Sequence, residues 1–107
     1  MGRMKARIVL TTCPDRQLAK KLLRNLLELK LVACGNILPE ATSLYWWKGQ
    51  LEESSEALLI MKTQADQIPT LEQKLHQIHG YEVPEFVVIE PEHVSEKYLE
   101  WISSSLT

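Results

Sequence analysis

The groups best suited to chemistry stand in one short run, His79-Gly80-Tyr81-Glu82-Val83-Pro84-Glu85, which offers an imidazole, a phenol and two carboxylates within a short span. Gly80 tolerates the left-handed conformation that closes a helix, and Pro84 pushes Val83 toward extended backbone. The run therefore predicts a rigid bend between a helix and a strand. Polar groups on such a joint meet a ligand more readily than groups in a core. His76 and His79 are three residues apart near a predicted helix end, with Glu72 one turn earlier. That spacing sets two nitrogens and a carboxylate on one helical face, as ligation of Cu²⁺ or Zn²⁺ requires. A solvated helix face produces the same pattern, so the metal and the bland readings both stand here, with His79 the stronger metal candidate because it opens the loop.

The two cysteines carry the other chemistry. Cys13 precedes Pro14-Asp15 and a predicted helix start, where the positive end of the helix dipole favours a thiolate. Cys34 falls in a strand and reads as a soft ligand or as a small buried hydrophobe. A cysteine with His79 as its base is the one nucleophilic pairing on offer. No Gly-rich phosphate loop or serine elbow accompanies it, so an enzyme is not expected and no cofactor is required beyond a possible divalent metal, Cu or Zn. Trp47, Lys62, Tyr81 and Glu85 form an alternative set, a ligand pocket in which Lys62 would meet an anion.

Several elements must position these groups. Ala6 to Thr12 is a β-branched, apolar run that stops at Cys13-Pro14-Asp15, and it reads as a buried strand. From Asp15 to about Lys30, leucines at 18, 22, 23, 26, 27 and 29 make an apolar stripe opposed by Arg16, Lys20, Arg24 and Glu28, the pattern of an amphipathic helix. Leu31 to Tyr45 reads as a strand bent near Pro39. With Gly49 as its turn residue and Ala57 to Thr63 as the returning strand, it predicts a long hairpin whose tip carries Trp47 and Glu52-Glu53. Asp66 to His79 repeats the helical spacing, Phe86 to Ile89 is a compact last strand, and Ser95 is placed to cap a short final helix with Leu99, Trp101, Ile102 and Leu106 inward.

Strand, helix, strand, strand, helix, strand and a last helix is the α+β, ferredoxin-like βαββαβ order with a long central β-hairpin and an added C-terminal helix. Two helices cover one face of such a sheet. Apolar residues on both faces of the strands leave the other face in need of cover, and self-association is the cheapest one.

At 107 residues the chain reads as a single domain over 1–107. A net charge of -2 with no basic cluster beyond Lys20-Lys21-Arg24 argues against nucleic acid. No apolar run approaches the ~20 residues a membrane helix needs, no export signal is visible, and two distant cysteines fit reduced thiols, so a cytoplasmic location is expected. Met1 to Met4 read as a frayed tail.

Taken in order, Thr12-Cys13-Pro14-Asp15, Leu31 to Pro39, Thr42 to Gly49, Lys62-Thr63 and His79 to Glu85 resemble the CutA family of divalent-cation tolerance proteins. The resemblance implies a cytoplasmic homotrimer similar in plan to the PII signal proteins, with hairpin arms crossing between subunits. It implies binding of, or response to, divalent ions such as Cu²⁺, and a cleft between subunits at Cys34, Trp47, Lys62, His79, Tyr81 and Glu85, with Glu82 beside them on the loop. A PII-like module that binds a small ligand or partner without a functional metal is the alternative. Family members commonly carry proline where Gly80 stands, copper-binding ones can pair histidines where this chain has Ile78-His79, and they place a first-strand cysteine at Thr11.

Overall fold

The computed structural model describes residues 5–107, so the tail expected of Met1 to Met4 lies outside the described residues. Strand β1, Ala6–Cys13, ends where Pro14 has no amide to offer a ladder. Helix α1, Arg16–Glu28, starts on Asp15, whose carboxylate accepts the Leu18 amide at 2.9 Å, and it buries Ala19, Leu22, Leu23 and Leu26. Strands β2, Cys34–Trp47, and β3, Gln50–Gln64, form the hairpin. Lys48 and Gly49 close it with φ of 50° and 78°, the mirror-image turn whose twist matches paired strands. A short 3₁₀ turn, Ala65–Gln67, leads into α2, Ile68–Ile78, with Pro69 tolerated in its first turn. Strand β4, Val87–Ile89, and helix α3, Glu96–Ser105, complete the chain.

The sheet runs β2-β3-β1-β4, antiparallel throughout, which is the ferredoxin-like order. Several details differ from the sequence reading. Gly80 does not take the left-handed conformation, because His79 already ends α2 in extended backbone. Leu31 and Val32 are buried connector rather than strand, because they plug the gap below α1. Ser95 stands at the cap position of α3 without a side-chain cap bond. Trp101 stacks on Tyr98 at the surface, ring centroids 5.4 Å apart, because neighbouring helical positions point about 100° apart and Ile102 takes the inward one.

Register explains the core. Val9 opposes Met61, Thr11 opposes Leu59 and Cys13 opposes Ala57, and these six side chains face the helices. Leu26, Leu71 and Leu75 close over them. On the other face Ile8, Leu10 and Ile60 are only half-buried, and Val87 and Ile89 are exposed. There α3 covers one end of the sheet, seating Ile102 and Leu106 against Ala6. The rest of that face is bare.

Two buried threonines make opposite demands on stability. Thr63 Oγ1 donates to the Leu31 carbonyl at 2.7 Å, whereas Thr11 Oγ1 has no partner among the described residues. A buried hydroxyl without a partner costs ~1–3 kcal/mol, so Thr11→Val, which keeps the shape, is expected to stabilise the protein by ~1 kcal/mol. Thr63→Val should destabilise it by about the same amount, because it orphans a carbonyl. Urea midpoints of the two variants check the pair, and a Thr11→Val midpoint below wild type contradicts it.

The register of β2 against β3 shifts between Leu38 and Ala41, where Pro39 has no amide and Glu40 takes φ of 61°. This bulge is the bend the sequence placed at Pro39. Beyond it the hairpin outreaches the helices and gives the molecule extents of 48 × 27 × 22 Å. Among the described residues no helix is long and apolar enough to cross a membrane.

Candidate ligand cleft at the base of the hairpin arm

The loop after α2 folds back onto the end of β1, and His79 fastens it there. Its backbone amide donates to the Leu75 carbonyl at 2.8 Å, closing the helix. Its ring Nε2 lies 2.7 Å from the Thr12 carbonyl, and its Nδ1 lies 3.1 Å from the Tyr81 amide. A carbonyl only accepts and an amide only donates, so Nε2 carries the proton and Nδ1 the lone pair. Both ring nitrogens are occupied. His79→Ala removes both bonds and should cost ~1–2 kcal/mol, at the low end for half-buried partners. Faster amide hydrogen exchange at Tyr81 in that variant is the direct readout, and unchanged exchange would count against the latch.

Tyr81, held at its amide and stacked on the His79 ring at 4.8 Å, points its phenol at β3. The hydroxyl donates to Glu56 Oε2 at 2.7 Å. Burial first, then that bond and the Glu56 charge, push ionisation of the phenol well above its ordinary range. Glu85 also binds its proton more tightly than a free carboxylate, through burial and then through the Glu56 charge. Two carboxylates and a phenol thus crowd one place.

They line a cleft of about 840 Å³ between the loop and the base of the arm. Strand alternation puts Tyr45 and Trp47 on the arm face that Glu56 shares, and both line the cleft. Glu82 and Glu85 close it from the loop side, and among the described residues no Lys, Arg or His of the chain lines it.

Of the residues singled out from sequence, Trp47, Tyr81, Glu82 and Glu85 therefore meet. His79 braces the loop behind them. Cys34 and Lys62 do not join the cleft: they are cross-strand partners toward the other end of β2. Lys62 bonds the Asn36 side chain. Cys34 Sγ lies 3.5 Å from the Tyr98 hydroxyl, and this contact is the main reason Tyr98 ionises less readily than usual. An anion pocket built on Lys62 is therefore not assembled within the chain. His76 packs near Phe86, ring centroids 6.1 Å apart, and among the described residues no three His, Cys, Asp or Glu side chains converge as a cation site. The His76, His79 and Glu72 triad is thus not formed.

Glu56 is the residue sequence reasoning missed. It sits in no motif, and only the register that sets it opposite Ala41, below the arm aromatics, brings it to Tyr81.

The family described as CutA1 divalent ion tolerance protein matches residues 7–105. Over 91 residues the chain is 41% identical to a Mus musculus protein named Protein CutA, a stretch covering 85% of this chain and 51% of that one. Against the divalent-cation tolerance protein CutA of Pyrococcus horikoshii the identity is 40% over 95 residues, covering 89% and 92%. The chain thus spans about half the length of the mouse relative. The crystal structure of divalent ion tolerance protein CutA1 from Ehrlichia chaffeensis superimposes with a TM-score of 0.94 at 29% identity, over 99% of both chains.

Proposed function

Since the chain belongs to the CutA1 divalent ion tolerance family, we propose that it serves divalent-cation tolerance as a cytoplasmic homotrimer and meets cations at the cleft between the loop and the arm. One observation carries this reading: among the described residues of the chain the cleft is lined by Glu56, Glu82 and Glu85 and by no basic side chain. A positive ligand lowers the repulsion between such carboxylates, and a negative one adds to it.

The donor set decides how an ion would be held. Copper and zinc favour imidazole and thiolate, yet both nitrogens of His79 are occupied and Cys34 lies with Tyr98. What the cleft offers is oxygen, from Glu56 and Glu85 beside the Tyr81 phenol. Among the described residues these oxygens do not converge as a three-ligand site within one chain, so what the cleft offers a cation is negative charge rather than a closed ligand set. The family description names tolerance, not a reaction.

Two features support assembly. Leu44, Trp46 and Leu51 are 63%, 74% and 61% exposed on the arm, and the sheet face beside α3 is partly bare. Apolar surface so arranged is covered by a second copy without added chain. Two free cysteines, Cys13 and Cys34, support a reducing compartment. A small-ligand module without a functional metal is the second reading, favoured by the aromatic walls of the cleft.

Calorimetric titration of Cu²⁺, Zn²⁺ and Mn²⁺ tests the site. Glu56→Gln and Glu85→Gln should each weaken binding by about tenfold or more, while His79→Ala should change it less. Loss confined to His79→Ala would move the ion to the imidazole. Light scattering should give three times the chain mass of 12.3 kDa, and Trp46→Glu should lower it. A wild-type monomer at micromolar concentration defeats the trimer.

A further inference from the structure

Helix α1 turns a row of like charge to the outside. Arg16, Lys20 and Arg24 recur every four residues, which sets them on one side of the helix about 6 Å apart along its axis, and Lys21 stands beside them. All four are exposed, opposite the buried row of Ala19, Leu22, Leu23 and Leu26. One helix face thus holds four of the chain's 12 Lys and Arg, although the net charge is -2. The arrangement works against the helix that carries it. Like charges four residues apart repel, and the row begins at the positive end of the helix dipole, where the first turn holds no acid. Glu28, the one acidic residue within the helix, stands at the negative end. A face shaped for solubility alone would interleave acid and base, since opposite charges four residues apart support a helix. Among the described residues none of the four cations forms an ion pair, and the pair that does form joins Arg7 to Glu90 at 3.8 Å. A local arrangement that costs stability without internal compensation marks a surface kept for an external partner.

We infer that the outer face of α1 docks an acidic polypeptide segment, whose carboxylates meet Arg16, Lys20, Lys21 and Arg24 and whose apolar residues meet Leu18 and Leu29. The spacing is complementary, because carboxylates one turn apart on a partner helix also lie about 6 Å apart. Leu18 and Leu29 are 47% and 48% exposed on the same outer surface, with Leu18 one turn before Lys21. They decide the class of partner: a polypeptide gains from apolar contact, whereas a nucleic-acid backbone draws on charge. The exposed tryptophans that would anchor at a bilayer interface stand elsewhere, Trp46 on the arm and Trp101 on α3. The face is separate from the cleft and stays open in an assembly of copies. It lies on the helix-covered side of the sheet, whereas the apolar surface that a second copy would cover lies on the opposite side and along the arm. Burying four unpaired cations between copies would also carry a heavy desolvation cost.

The test titrates the full chain into a labelled amphipathic helical peptide, with Glu along one face and Leu beside it, and reads fluorescence anisotropy. The same peptide with Gln for Glu is the reference. The acidic peptide should bind at least about tenfold more tightly, and raising salt from ~50 to ~300 mM should weaken it about tenfold. Arg16→Glu/Lys21→Glu interleaves acid and base along α1, so it should weaken peptide binding at least about tenfold while the melting temperature stays at or above wild type. Lys5→Glu/Lys97→Glu makes the same change in net charge away from α1 and should leave binding unchanged. Leu18→Ser should weaken it by about threefold or more, the part owed to apolar contact. Equal binding of the Gln peptide, affinity unchanged by the reversal on α1, or a fall in melting temperature in that variant overturns the inference. If a single-stranded oligonucleotide or phosphatidylserine vesicles bind in dependence on this row while the acidic peptide does not, the polypeptide partner is excluded.

Discussion

Alkylation of Cys13 in the folded protein at pH 7 is expected to run at least ~100-fold slower than alkylation of an unstructured cysteine peptide. Proximity to a helix start alone predicts the opposite, a reactive thiolate. The structure corrects that expectation for two reasons. Cys13 is only 2% exposed, with its side chain on the helix-facing side of β1. The positive end of α1 is also already met by Asp15, whose carboxylate caps it and then stands as a negative neighbour to the sulfur. Burial, followed by the charges of Asp15 and Glu56, pushes the thiol from 9.0 up to about 11. A rise from 9.0 to about 11 lowers the thiolate fraction about a hundredfold, and burial slows access further. A Cys34→Ser background makes Cys13 the sole reporter, and a rate matching the peptide would overturn the assignment.

The same shift predicts a pH effect. A thiol whose proton is held more tightly in the folded state than in the unfolded one leaves stability unchanged below pH 9 and erodes it as pH rises toward 11. Thermal melts between pH 8 and 11 should therefore fall more steeply for wild type than for Cys13→Ala. Parallel slopes would show that the sulfur titrates alike in both states.

Leu59→Ala is expected to cost ~2–5 kcal/mol, a large share of the ~5–15 kcal/mol that holds a domain of this size. Leu59 is fully buried on β3, opposite Thr11 and Ile37, in the cluster that joins β1, β3, α1 and α2. Truncation there loses the transfer of its methyl groups and opens a cavity that two strands and two helices cannot close by moving one element. Melting should drop by roughly 10–25 °C, at about 5 °C per kcal/mol. Protein concentration must match wild type, because assembly shifts apparent stability by mass action. A loss under 1 kcal/mol would mean that the layers repack around the gap.

Much of this fold is legible along the chain because the signals are local. The leucine stripe of α1 becomes the buried row Leu22, Leu23 and Leu26 because 3.6 residues per turn and a flat sheet leave no other arrangement. Pro14, Pro39 and Gly49 act through their own backbone dihedrals, so the end of β1, the bend in β2 and the hairpin turn need no tertiary information. Trp101 is the counterexample. Its apolar character alone pointed inward, but a short helix has room for one inward residue at that turn, and Ile102 occupies it.

The cleft divides along the same line. His79, Tyr81, Glu82 and Glu85 stand out in sequence because they share one loop, and residues close in the chain stay close in space. Glu56 does not stand out, since its nearness to Tyr81 follows from strand register, which couples residues 25 apart through hydrogen bonds with no trace in either local sequence. Within the chain, register likewise keeps Cys34 and Lys62 apart from the cleft. The role of His79 was decided by its neighbours as well. An imidazole is a metal ligand, a base or a brace according to what its two nitrogens meet, and here a carbonyl and an amide occupy both. Sequence alone determined the elements and their order, because these depend on backbone preference and apolar period. Tertiary structure decided the sign of the cleft and the task of each titratable group, because charge, burial and hydrogen bonding depend on what packs alongside.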